Sequence, residues 1–483
     1  MSDSMVGCVL LAFAIGQFVV LYRGLSAAVT YYLCVAPLGY FTVWYMGTWD
    51  PSRLCGIILL VGSLRFRDRD RHLPKMRTQA IVLFLGYGIV WTIICSPFWP
   101  TDAIAHLSLV HSVLRPLISI ANWIVYLGVT WKIAVAYSVP GEFAKYKHVV
   151  VKFGIAMCFY AIYQSVASRY GLPMTGLRNA YRGYTADGSG DFTAAYLLNG
   201  ELVYRPGSFF HEPKFLGAGC VFWLSLLLSD MFERQFRTAT VGSIAIVCYT
   251  LWLTASTGAW AAVLCCLALF LFISNRLAPL QLMEKVLIGG LACFVGLGLS
   301  WAVGTEAFQN SALGIIVEER FTKRLSSLDR KADEELDPAA IQALLDRPYF
   351  ILTGTGLGGI SFYMDEYLRN SVDYHIPGEK AVILNPSFGL VALLANLGLL
   401  GYLFAYYTLE RGFRCLFLRP VQGVVPIPVS LAFVGTIGVV QYMIMGDMIV
   451  FLVGMGCLLA ASLYPRGDLE GLSRPVPMGL ECE

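Results

Sequence analysis

Charge is what this sequence has least of. Only 14% of its 483 residues are Asp, Glu, Lys or Arg, against about a quarter in soluble globular chains. That shortage, with 57% hydrophobic residues and a mean hydropathy of +0.64, excludes the two or three soluble domains that the length would otherwise allow. The formal net charge of +3 says little about partners, and no nucleic-acid partner is expected. No basic leader precedes the first apolar run, Met5 to Tyr22, so it reads as a retained span and not as a cleavable signal. No Cys or His spacing resembles a zinc or iron–sulfur site, and neither a metal nor a cofactor is expected. Internal repeats and low-complexity segments are also lacking.

What is present is a series of apolar runs long enough to cross a hydrocarbon core of about 30 Å. They lie at 5–22, 27–47, 79–99, 113–137, 148–168, 213–231, 239–255, 257–273, 286–303, 386–409, 425–445 and 448–464. The expected fold is therefore an all-α integral membrane protein of about twelve helices. The run from Leu54 to Leu64, at eleven residues, is too short for a span and reads as re-entrant or interfacial. With the amino terminus inside, the inward segments 65–78, 138–147, 232–238, 274–285 and 410–424 hold fifteen Lys and Arg residues. The short outward connections hold only Arg23, as the positive-inside rule requires.

Two long outward loops remain, residues 169–212 and 304–385, separating membrane blocks 1–168, 213–303 and 386–464, with an inward tail at 465–483. Neither loop contains a cysteine, although the chain has thirteen. Thiols confined to spans and the inner side fit a bacterial inner membrane, without disulfides. In the second loop, apolar residues at 313, 316, 317, 321, 325 and 328 recur at helical spacing, stacking Arg320 and Arg324 on the other face. Asp337 and Pro338 open a short helix. The run RPYFILTGTGLGGISFY follows, and its Gly354, Gly356 and Gly359 match GxGxxG without a βαβ setting. These glycines read instead as a tight turn, or as a close backbone approach to a substrate or a neighbouring helix.

Polar residues that could work on a substrate concentrate at the outer face. Of the histidines, His106, His111, His211 and His375 lie there, the first two five residues apart and off a common helical face. The segment RPGSFFHEPKFLGAG gathers Arg205, His211, Glu212 and Lys214 just before a span. Such a cluster can meet the anionic head of a lipid-linked substrate, or can simply anchor the span by snorkelling. Arg115 is the clear charge within a span, near its outer end.

Four pieces in order, RPGSFFHEP, TASTGAWAAVL, RPYFILTGTGLGG and NPSFGLVALLANLGLLGYL, resemble the O-antigen polymerase and ligase superfamily over residues 200 to 405. The resemblance implies a GT-C-like bundle. It also implies inverting, metal-independent transfer of glycan from an undecaprenyl pyrophosphate-linked donor to an acceptor hydroxyl on the periplasmic side. Donor, lipid-linked acceptor and bilayer are then the partners, with a chain-length regulator protein as a further candidate. Arg205 matches the family's arginine in the first long loop and is the expected pyrophosphate ligand, with His211 and Lys214 beside it. Where the family often has a second arginine, this chain has Thr257, so that cation must come from elsewhere, with Arg320 and Arg324 as the candidates. The ligases' His-Asn pair is replaced by Asn385-Pro386, which leaves the base to His375 first and Glu212 second. These departures favour a polysaccharide polymerase over an O-antigen ligase. A flippase or other transporter is the third reading; broken helices and charges at the midplane would mark it.

Overall fold

A computed structural model describes residues 3–39, 41, 43–44, 48–66, 75–100, 109–170, 172, 195–198, 201–210, 213–232, 238–254, 256–277, 336–368, 386, 388–418 and 427–464. The apolar runs become helices because a helix satisfies every backbone N–H and C=O within itself, as an apolar solvent demands. In order these are α1 (Asp3–Leu21), α2 (Leu25–Val35), α3 (Pro51–Gly62), α4 (Lys75–Cys95), α5 (Leu109–Tyr137), α6 (Glu142–Tyr170), α7 (Pro213–Phe232), α8 (Thr238–Thr254), α9 (Thr257–Leu277), three shorter helices α10 (Leu336–Asp346), α11 (Tyr349–Thr353) and α12 (Ile360–Leu368), then α13 (Gly389–Arg414), α14 (Ile427–Met445) and α15 (Met448–Leu463). Seven of them are long and apolar enough to cross a membrane, and five shorter apolar helices accompany these. The chain is an α-helical, multi-pass membrane protein.

The core sits on α7, α14 and α15. Every residue from Val450 to Leu463 is buried, the mark of a helix surrounded by others on all sides. Small residues bring the backbones together: a Cβ on Gly454 would stand 2.8 Å from the Gly435 carbonyl oxygen. The two ends of the bundle are set by residues that α7 separates. At one, Lys147 of α6 pairs with Asp230, both buried; at the other lies Arg205. Lys132, in α5, is also buried, so Arg115 is not the lone charge within that helix.

The first sixty residues depart from expectation. The run expected as one span, 27–47, is helical only over Leu25–Val35 and then turns into a two-residue-per-strand hairpin, β1 (Val43–Trp44) against β2 (Thr48–Trp49). The short run around Leu54–Leu64, expected as re-entrant or interfacial, falls in one of the apolar helices shorter than the candidate spans. It is helix α3, capped by Asp50 accepting from the Arg53 N–H at 2.9 Å, and its Cys55 and Leu59 are fully buried. A side chain on Gly62 would collide with Leu21, and Ser26 Oγ donates to the Ala136 carbonyl. Phe13 meets Phe41, which stacks on Phe209. Leu21, Arg23 and Gly62 therefore lie at the Lys147–Asp230 end, and α1 starts toward the Arg205 end, opposite to the expected direction.

Of the second long loop, α10 forms where the Asp337-Pro338 pair predicts a helix, but the Asp337 carboxylate reaches across to accept from the Phe388 N–H at 3.0 Å, at the start of α13. The glycine run makes a close approach to a neighbouring helix. α13 is interrupted at Gly398, where φ is 63° and ψ −172°, and the opened turn is filled by residues 352–358. Thr355 N–H donates to the Ala395 carbonyl at 2.9 Å, Gly356 N–H to Asn396 O at 3.0 Å, and Gly358 N–H to Asn396 Oδ1 at 2.7 Å. From α4 and the residues after it, Tyr87, Trp91 and Trp99 donate to the carbonyls of Thr353, Gly354 and Thr355. Gly354 needs to be glycine twice over: φ is 75°, and a Cβ would sit 2.4 Å from Asn396 O.

Candidate functional site

Arg205 directly follows a hairpin, β3 (Ala195–Leu198) against β4 (Glu201–Tyr204). The segment it begins is locked to α6. Ser208 has a left-handed backbone, φ 52°, held by Gln164 Oε1 accepting from its N–H at 2.7 Å and by its hydroxyl donating to Met157 O at 3.1 Å. Phe209 lies flat on Tyr160, with ring centroids 4.4 Å apart, and Phe210 packs edge-on against Trp223. A strained serine persists only where its surroundings over-determine it. Here that arrangement carries a buried guanidinium to the bundle end: Arg205, 5% exposed, donates from Nε to the Thr254 carbonyl at 2.8 Å. Thr254 is the last residue of α8, whose terminal carbonyls form the negative end of the helix dipole.

Helix starts converge on the same place. α7 begins at Pro213, a residue that costs the first turn no hydrogen bond. α9 begins at Thr257, three residues after α8 ends, with buried Ser256 O accepting from Trp260 N–H. α15 begins at Met448 behind the two-residue turn Gly446-Asp447. They touch: a side chain on Gly217 of α7 would meet Ala259 at 3.0 Å and Ser256 at 3.2 Å, Gly258 faces Met445, and Gln441 Nε2 donates to Ala218 O. The starts of α7 and α9 bring the positive ends of two helix dipoles to this end, and together with Arg205 and Lys214 they favour an anion.

Asp447 is the acidic member. It is 8% exposed and caps α15, Oδ1 accepting from Ile449 N–H at 3.0 Å and from Val450 N–H at 3.4 Å. Burial pushes its carboxyl up to about 6, against the two N–H groups and the Lys214 ammonium, which pull it down. Lys214, half-buried on the first turn of α7, lies over the Phe215 ring at 5.3 Å. This end of the bundle thus gathers Arg205 and Lys214 with a carboxyl raised by burial to about 6, a combination suited to binding an anionic leaving group and to accepting a proton.

Of the residues expected from the sequence, Arg205 and Lys214 are brought to this end, one on Thr254 and the other within a turn of Gly217. His211 and Glu212, between them in sequence, and Arg320, Arg324 and His375 lie outside the described residues, as do the expected helix at 313–328 and His106. Sequence reasoning missed Asp447, which is the only charged residue between Arg419 and Arg466. A lone carboxyl in so long an apolar stretch is a signal, because its burial is costly. Among the described residues no group of three or more His, Cys, Asp or Glu could hold a metal. Compared with known proteins, the chain matches no family model and no curated sequence.

Proposed function

We propose that this protein is a membrane glycosyltransferase that polymerises polysaccharide, moving glycan from an undecaprenyl pyrophosphate-linked donor to the hydroxyl of a lipid-linked acceptor. The observation that carries the reading is the buried Arg205 guanidinium, held on the last carbonyl of α8 at the end of an apolar bundle where α7, with Lys214 in its first turn, and α9 begin. Breaking the bond to the anomeric carbon builds negative charge on the departing pyrophosphate, and prearranged cations and dipoles in a low-dielectric site stabilise it. The order of motifs over residues 200 to 405 supports the same reading.

In this proposal the Arg205 end faces the periplasm of a bacterial inner membrane and about twelve segments cross it. The Lys147–Asp230 end faces the cytoplasm, where the basic segments and Arg23 gather. A carrier would use a broken helix around an open site; the break in α13 is packed with the backbone of 352–358, which removes that support for transport. The test is to incubate purified protein with a defined lipid-linked repeat unit. A ladder of product lengths is expected. A single transfer to lipid A core would make it a ligase, and no bond formation would refute the proposal.

A further inference from the structure

We propose, resting on the glycosyl-transfer reading, that Asp447 accepts the proton of the attacking hydroxyl. Three observations carry this. Asp447 stands at the meeting of α7, α9, α14 and α15, in the connection between two helices and at the end that holds Arg205. Its Oδ1 takes both backbone N–H groups, so Oδ2 has no hydrogen-bond partner among the described residues. Among the described residues, the charged group that bears on it from a neighbouring helix is Lys214 of α7.

The step balances on named atoms. The acceptor hydroxyl gives its proton to Asp447 Oδ2 while its oxygen forms the new bond to the anomeric carbon. The bond from that carbon to the phosphate oxygen breaks, and its electron pair leaves on the pyrophosphate, held by Arg205. A carboxyl at about 6 is mostly ionised at neutral pH and still basic enough to take a proton.

Asp447 also has a structural task, and asparagine separates the two, because Asn caps a helix about as well as Asp. The full-length protein, wild type and Asp447→Asn, is assayed with a defined lipid-linked donor and acceptor for product, donor binding and thermal midpoint. Expected for Asp447→Asn are an unchanged midpoint, donor binding within about threefold of wild type, and turnover down by about a hundredfold or more. Wild-type turnover should fall with acid on a single limb near pH 6. Asp447→Asn turning over within threefold of wild type would overturn the proposal, as would wild-type turnover with no acid limb near pH 6. Failure of the wild type itself to form any glycosidic bond would sink the underlying reading instead.

Discussion

Replacing Arg205 by alanine removes two things at once: a cation placed for the leaving group, and the donor that satisfies the Thr254 carbonyl at the end of α8. The second loss is paid in stability. A buried acceptor left without its partner costs about 1–3 kcal/mol, so the thermal midpoint of Arg205→Ala in detergent should drop by a few degrees. The first loss acts on the barrier. One charge-assisted clamp on a developing pyrophosphate is worth about 3 kcal/mol, or roughly a hundredfold in rate. Arg205→Lys discriminates between them. An ammonium can restore a single hydrogen bond to Thr254, and most of the stability with it, but it cannot grip two oxygens as a planar fork does, so turnover should recover only in part. The assay measures turnover per folded molecule with a defined lipid-linked donor beside the unfolding curve. If Arg205→Ala loses turnover only as it loses folded protein, or if lysine restores rate and stability equally, Arg205 anchors the segment and the pyrophosphate clamp must be sought elsewhere.

Four further outcomes test the fold. Gly398→Ala puts a Cβ 2.4 Å from Leu352 O at a φ of 63°, so it should cost about 2–4 kcal/mol. Gly242→Ala, with no atom within 4 Å, should be neutral or slightly stabilising in the same thermal scan. Lys147→Met or Asp230→Asn alone should destabilise by about 3–5 kcal/mol by stranding a buried charge, whereas the pair replaced together by Met and Leu should be far milder; equal costs would deny the coupling. In a background with the native cysteines replaced, cysteines at Arg23 and Leu64 should be labelled from the same side of the membrane, and one at Leu345 from the other. Labelling of positions 23 and 64 from opposite sides would restore the direction of α1 expected from the sequence.

Composition and run length alone determine that this chain is a multi-pass helical membrane protein, because the bilayer demands both apolar side chains and internally satisfied backbone over some twenty residues. Ten of the twelve expected spans reappear as helices whose ends shift by a few residues, while 27–47 is cut short and 286–303 lies outside the described residues. Arg205 was legible as well, since a guanidinium at the mouth of an apolar run stands out against its surroundings. The first sixty residues were misread for a physical reason: α2 and α3, at 11 and 12 residues, are each too short for hydropathy alone to fix their ends and direction, which are decided by packing, by Leu21 against Gly62 and by Ser26 against Ala136. The glycines at 354–358 announced unusual backbone without saying what it met. Only the tertiary structure supplies Asn396 and the opened turn at Gly398, because their hydrogen bonds join residues about forty apart in sequence. The same holds for Asp447. Its solitude is written in the chain, but its burial arises where helices distant in sequence meet, and that burial is what raises its proton affinity.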